Sequence, residues 1–153
     1  MIAKLLIAWC LMAVCVVVHA VGIAVALRWI RNRQEPPPRF REWTGRFIWI
    51  AGWIILLHLL EIAAWAGVYA VGGALPEISA AVYFSAVTYT TTGYGDLLLP
   101  EAWRLVGGVE ALTGILMCGW STAFFFAVVS RMYEGRTTPS AGAATGEALG
   151  QSE

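Results

Sequence analysis

Three long apolar runs divide the chain. A helix needs about 20 mostly apolar residues to cross the hydrocarbon layer of a bilayer. Leu5–Leu27 supplies such a run, with His19 as its one ionisable residue. A second run extends from Phe47 to about Gly72, and a third from Leu105 to Ser130. The pattern predicts three membrane-spanning helices.

The segment between the second and third runs has a different pattern. Residues 76–100 contain too many polar residues, threonines and glycines for a lipid-exposed helix. Pro76 followed by Glu77 and Ser79 is typical of a helix start, with proline near the first helical position and an acid in the first turn. A helix of about 12 residues would follow, too short to span, and would end at Thr90–Thr92. Non-helical backbone at membrane depth is tolerated only inside protein or beside water, so this loop should re-enter the membrane within an assembly.

Arginines favour one orientation. Six arginines lie between Arg28 and Arg46, against Glu35 and Glu42. Short arginine-rich loops stay in the cytoplasm, so the N-terminus should lie outside, the C-terminus inside and residues 76–100 outside. This describes a multi-pass protein of the plasma membrane. Cleavage after Ala20 as a signal peptide is the alternative, but the apolar run continues for seven residues beyond it.

The composition supports a membrane protein. Of the 153 residues, 59% are apolar and 13% are charged, and the formal net charge is zero. Soluble domains usually carry about 25% charged residues, so this chain has too little polar surface for a water-facing globule. A nucleic-acid binder would need a strongly basic face, which a neutral chain lacks. We therefore expect membrane lipids as the surroundings, no nucleic acid, no soluble substrate and no enzymatic activity.

Polar and proline-rich stretches suggest the domain boundaries. Pro36–Pro38 should break any helix between the first two spans. The residues from Gly135 onward are mostly alanine, glycine, serine, threonine and glutamate, which is typical of a disordered tail. The expected organisation is an N-terminal transmembrane helix at 1–28, a cytoplasmic Arg/Pro-rich linker at 29–46, a module of two helices and a re-entrant loop at 47–133, and a cytoplasmic tail at 134–153.

Glycines alternate at the end of the re-entrant loop. Thr90–Asp96 reads T-T-T-G-Y-G-D. Gly93 and Gly95 reach backbone angles closed to other residues, so successive carbonyls can point one way. Four such strands around an axis would stack rings of carbonyl oxygens that replace the water shell of a cation. The C-terminus of the preceding short helix is partly negative and also favours a cation.

This stretch resembles the signature of potassium channels, and residues 47–131 resemble the outer helix, pore helix, filter and inner helix of small bacterial members of that pore-loop family. The first helix makes the chain similar to a three-helix variant. The resemblance implies an all-α membrane protein that assembles as a homotetramer and passes K⁺ passively, with no cofactor beyond the permeant ion. The alternatives are a weakly selective cation channel, an accessory subunit that needs a partner to conduct, and a surface turn that merely contains the motif.

The resemblance also implies roles for single residues in and around the filter. The carbonyls of the filter would bind K⁺, with the Thr91 hydroxyl as an additional ligand. Thr92 replaces the usual valine, and Val87 stands where some relatives carry a carboxylate behind the filter. The residues concerned are Thr91, Thr92, Gly93 and Tyr94 as K⁺ sites, Gly95 as the end of the filter, and Asp96, Tyr83 and Phe84 as its support.

Inner-helix residues are also candidates. The resemblance matches Gly114 with the hinge glycine of the inner helix and Gly119 with a second small position. Apolar and small side chains recur at helical spacing in this helix, and they are expected to line the cavity below the filter. Ordinary helix packing is the alternative. The stripe consists of Ala111, Ile115, Cys118, Thr122 and Phe126.

Ionisable residues inside spans are costly and therefore candidates for function. His58 and Glu61 lie three residues apart on one helical face, and Glu110 lies about two turns into the third span. The first interpretation is a hydrogen-bonded polar clamp between the short helix and the outer helix. The others are a protonation-sensitive element and a metal site formed with His19. The gating stimulus is left open, since no span has the regular arginines of a voltage sensor.

Overall fold

The computed structural model describes residues 2–32 and 40–137, and every regular element in those ranges is helical. The chain forms three long helices, with a short helix between the second and third of them. A 3-10 turn directly precedes the last long helix. Pro36–Pro38 of the predicted linker and residues 138–153 of the predicted tail at 134–153 lie outside these ranges, whereas residues 134–137 belong to the last helix. The helices are α1 (Ile2–Asn32), α2 (Phe40–Val71), α3 (Ile78–Tyr89) and α4 (Arg104–Thr137), with the 3-10 turn at Glu101–Trp103.

Three stretches are long and apolar enough to cross a membrane. They are Ile2–Asn32, Thr44–Val71 and Glu101–Ser130. The 12 residues of α3 are apolar but too few to span. The prediction of an all-helical fold, with three spans and a short helix between the last two, is confirmed. The first helix continues beyond its apolar run at both ends, because lysine and arginine, here Lys4 and Arg31, are themselves good helix formers.

The start of α3 differs from the sequence prediction. Pro76 was expected near the first helical position and Glu77 in the first turn. Instead, Glu77 is the N-cap with extended backbone angles, φ −80° and ψ 120°, so the helix begins at Ile78. The Ser79 hydroxyl donates to the Glu77 carboxylate at 2.6 Å, which occupies that side chain outside the helix.

Helix α2 forms the centre of the first of two compact units. This unit ends at Trp120, and the residues from Ser121 belong to the second. In the first unit α2 packs against both α1 and α3. The shared core contains the residues Ala8, Cys15, Ile62, Trp65, Tyr69, Phe84, Tyr89, Trp103 and Met117.

Contacts at both ends of α1 define its direction. The Lys4 ammonium lies 4.4 Å from the centre of the Trp103 ring, beside the start of α4. At the other end, Trp29 stacks on Trp49 of α2 with ring centres 4.1 Å apart. Between them, the Trp53 indole N–H donates to the Gly22 carbonyl at 2.9 Å. Helix α1 therefore runs antiparallel to α2 and covers it along most of its length.

Candidate ion pathway and the polar clusters around it

The T-T-T-G-Y-G-D segment leaves the helical conformation directly after α3. Thr91, Gly93 and Gly95 have positive φ angles of 59°, 53° and 77°. The two glycines therefore adopt the backbone angles that the sequence predicted for them. Thr91 was not expected to do so, because a β-branched residue is strained in this region. When residues with positive φ alternate with residues of negative φ, successive carbonyls can point toward the same side of the segment.

Hydrogen bonds attach the start of this segment to the last turn of α3. The Gly93 N–H donates to the Val87 carbonyl at 3.0 Å. The extra hydroxyl of Thr92 lies 2.9 Å from the Thr90 hydroxyl. Thr90 in turn donates to the Ala86 carbonyl at 2.7 Å. The hydroxyl that replaces the usual valine methyl thus has a partner within the same loop.

A second attachment lies beyond the glycines. The Tyr83 hydroxyl donates to Asp96 at 2.6 Å, which connects the middle of α3 to the end of the segment. This hydrogen bond raises the pKa of Tyr83. Phe84 is buried and meets the Tyr69 ring edge-on, with centroids 5.4 Å apart. Tyr94 is 71% exposed in the single chain.

Glu110 forms the first of two buried carboxylate clusters beside α3. Tyr69 of α2 donates its hydroxyl to Glu110 at 2.7 Å, and Ser85 of α3 donates to the other carboxylate oxygen at 2.5 Å. Ser85 also lies 2.9 Å from the Ile62 carbonyl. All three side chains are buried. The Glu110 cluster therefore joins α2, α3 and α4 through neutral hydroxyl donors.

Glu61 forms the second cluster, which includes α1. His19 Nδ1 lies 2.9 Å from one oxygen of Glu61, and both side chains are almost fully buried. The Tyr89 hydroxyl donates to the other oxygen. His58 Nδ1 is 3.1 Å from the Tyr89 hydroxyl and 3.9 Å from Glu61. The Glu61 cluster thus gathers side chains from α1, α2 and the last residue of α3.

Gly114 lies where α4 crosses the end of α3. A Cβ at this position would overlap the carbonyl oxygen of Tyr89. Helix α4 continues through Gly114 without a break. A Cβ on Gly119 would meet nothing within 4 Å. The structure thus gives Gly114 a packing reason to be glycine, and its role as a hinge stays a prediction.

Most side chains of the predicted cavity stripe in α4 are exposed among the described residues. Ile115 is 57% exposed and Cys118 is exposed, whereas Ala111 is half-buried. In the second unit, Thr122 and Phe126 are also exposed. That this stripe lines a cavity stays a prediction.

Sequence reasoning found the two carboxylates and grouped His58, and in one alternative His19, with Glu61, but it missed the partners that α3 supplies. Ser85 and Tyr89 were not singled out, although they are the side chains that bring α3 into the two clusters. Their spacing of four residues places them on one face of α3. Two hydroxyls at helical spacing in an otherwise apolar helix were the signal available, because each needs a partner when buried.

The family of the chain follows from comparison with known proteins. The family model of the ion channel matches residues 44–131, which is more than half of the chain. The chain therefore belongs to this ion channel family. No curated protein and no solved structure matches the chain. Helix α1 lies outside the matched range.

Proposed function

We propose that the chain forms a potassium-selective channel in the plasma membrane, as a homotetramer whose filter is Thr91–Gly95. The observation that carries the proposal is the short helix α3 followed at once by T-T-T-G-Y-G-D with positive φ at alternate residues. The carbonyls of Thr91–Tyr94 would replace the water shell of K⁺. K⁺ is then the permeant ion, and the protein acts as a passive pore and not as an enzyme.

Four copies are needed because one loop cannot surround an ion. The chain offers large apolar surfaces for such an assembly: Leu112, Ile115 and Leu116 are each more than half exposed on α4. Lipid can cover some of this surface, but the glycine-containing segment needs protein around it. A closed four-fold ring satisfies both requirements with identical contacts.

The hydrogen bonds around α3 support a rigid filter. Gly93, within the predicted ion sites, is held to Val87, and Asp96, just beyond them, is held to Tyr83. Carbonyl rings select between cations of similar charge only if their positions are maintained, through the size or the field strength of the sites. Relatives that have aspartate at the position of Tyr94 resemble non-selective cation channels, so the tyrosine also favours potassium selectivity.

The proposal is tested by potassium flux from liposomes that contain the purified chain, with sodium flux measured in parallel. We expect selective potassium flux that barium blocks. Gly93→Ala should abolish it, because Gly93 has a positive φ that alanine adopts only with strain. Gly52→Ala is the matched control, since a Cβ there meets nothing within 4 Å and no positive φ is involved.

Other outcomes would redirect the proposal. Equal sodium and potassium flux would indicate a weakly selective cation channel. No flux from a folded tetramer at any pH would favour an accessory subunit that needs a partner. Normal flux in Gly93→Ala would contradict the assignment of the filter itself.

A further inference from the structure

The only two histidines of the chain meet at one carboxylate. His19 comes from α1 and His58 from α2, and their ring centres lie 5.2 Å apart. His19 Nδ1 lies 2.9 Å from one oxygen of Glu61. His58 Nδ1 lies 3.9 Å from the other oxygen and 3.1 Å from the Tyr89 hydroxyl. If one ligand atom is taken from each of the three residues, the three atoms all lie within 4.8 Å of one another.

We propose that His19, His58 and Glu61 bind one divalent transition-metal ion of the zinc type, which links α1 to α2 beside the end of α3. Two imidazoles and a carboxylate are a set that Zn²⁺ uses with a fourth position open. With metal–ligand bonds of about 2.0–2.2 Å, tetrahedral ligand atoms lie about 3.4 Å apart. His19 Nδ1 lies 2.9 Å from Oε1 of Glu61, and His58 Nδ1 lies 3.9 Å from Oε2. The three ligand atoms lie within 4.8 Å of one another, so side-chain rotations have to bring them to the tetrahedral spacing.

Charge favours a cation at this place. Glu61 is 2% exposed, and in the part of the chain that the structure describes both of its ion pairs are with histidines. Neutral imidazoles would leave the negative charge uncompensated in an apolar interior, where charges are normally paired or metal-bound. A divalent ion held by one carboxylate and two neutral imidazoles compensates that charge without protonating either ring.

The surroundings of the three residues also suit a metal site. The Tyr89 hydroxyl donates to the Glu61 carboxylate, and hydrogen bonds of this kind orient liganding carboxylates. The His19 ring packs against the Trp120 ring with centroids 5.6 Å apart, which restricts its orientation. The side chain of His58 is 17% exposed and gives an ion a route to the otherwise buried group.

The position of the site has a consequence for conduction, which rests on the function proposed above. Tyr89 is the last residue of α3, and the predicted filter starts two residues later. A metal on Glu61 would restrain the carboxylate that accepts the Tyr89 hydroxyl. Metal binding should therefore alter potassium flux, whereas binding itself does not depend on the protein being a channel.

Metal binding is tested with Co²⁺, which replaces Zn²⁺ and absorbs visible light when four-coordinate. The full chain is purified with a tag that contains no histidine, treated with a chelator and titrated with Co²⁺. We expect the visible bands of a four-coordinate site that saturate at one ion per chain and disappear when Zn²⁺ is added. Absence of these bands in the folded wild-type chain would overturn the proposal.

Variants identify the ligands. His19→Ala and His58→Ala should each weaken binding about tenfold or more, since each removes one of the three ligands. The variant with Cys10, Cys15 and Cys118 all changed to serine is the matched control and should bind Co²⁺ as the wild type does. Loss of binding in the cysteine variant, or its retention in both histidine variants, would contradict the assignment. Wild-type binding without the protein being a channel would leave the metal site standing and refute only the proposed function.

Discussion

Two buried glutamates hold α3, and they do so with different chemistry. Glu110 accepts hydrogen bonds from the hydroxyls of Tyr69 and Ser85. Glu61 accepts one from Tyr89, but its other neighbours are the imidazoles of His19 and His58. Both carboxylates are almost completely buried. They differ in whether their partners are hydroxyls alone or include imidazoles, which can bind a metal ion.

The two clusters also differ in where they lie along the chain. The Glu110 cluster lies entirely within residues 44–131, the range that the ion channel family model matches. The Glu61 cluster includes His19 of α1, which lies outside that range. The first cluster therefore joins α2, α3 and α4 within the matched range, and the second connects α1 to that range. Substitutions in the two clusters should have effects of different size and kind.

The largest effect is expected from Glu110→Ala. This change removes the acceptor of the buried Tyr69 hydroxyl and leaves a cavity between three helices. The free energy of unfolding should fall by about 3 kcal/mol, from the unpaired hydroxyl and the lost packing together. Denaturation by sodium dodecyl sulfate in mixed micelles, followed by circular dichroism, measures this loss.

Glu110→Gln is the control for this prediction. The amide oxygen of glutamine can still accept the Tyr69 hydroxyl, so we expect a loss of only about 1 kcal/mol. Equal losses in the alanine and glutamine variants would mean that the negative charge of Glu110, and not an acceptor oxygen, holds the cluster.

The next largest effect is expected from Gly114→Ala, at the other side of Tyr89. The new methyl group would overlap the Tyr89 carbonyl oxygen, which is backbone and can move only together with α3. Overpacking of this kind costs about 2 kcal/mol. Gly119→Ala, whose Cβ would lie in open space on the same helix, is the matched control in the same unfolding measurement. Similar losses for the two glycines would contradict the proposed contact.

The elements of the fold were predictable because the bilayer imposes a length. Leu5–Leu27, Phe47–Gly72 and Leu105–Ser130 are each long enough to span, and 76–100 is interrupted by residues that are not compatible with lipid. Gly93 and Gly95 marked the segment with unusual backbone angles. These signals are local in the sequence, and the structure bears them out.

The partners of the two glutamates were less predictable. A span that is apolar on every side gives little indication of which face is covered, so neither the rotation of α1 nor its crossing with α2 could be derived. The contact between His19 and Glu61 joins residues 42 positions apart, and it depends on the rotation of α1 and on its crossing with α2. Ser85 could have been identified as a polar residue on a buried helix, but its choice of Glu110 depends on how three helices meet.

A moderate effect is expected when the link between α1 and α2 at Glu61 is removed. His19→Ala and Glu61→Gln, singly and together, form a double-mutant cycle for the free energy of unfolding. We expect a coupling of about 1 kcal/mol, because the two side chains are in direct contact and buried. The pair His19→Ala with Glu110→Gln should be additive, since these residues belong to separate clusters. A coupling of zero for the first pair would show that the Glu61 cluster does not hold α1.

The smallest effect is expected at Tyr83, whose contact with Asp96 is exposed to solvent. Because the hydrogen bond raises the pKa of Tyr83 in the folded chain, the contact is fully present below the unfolded pKa of about 10 and is lost as the pH rises through the folded value. Tyr83→Phe should therefore lower the thermal midpoint slightly at neutral pH, and the difference from wild type should disappear in strongly alkaline solution. Asp96→Asn keeps an acceptor oxygen and should lower the thermal midpoint at neutral pH less than Tyr83→Phe does. A difference between wild type and Tyr83→Phe that grows with rising pH would mean that Tyr83 acts as a phenolate, and the hydrogen bond would then not be what attaches the end of the filter segment to α3.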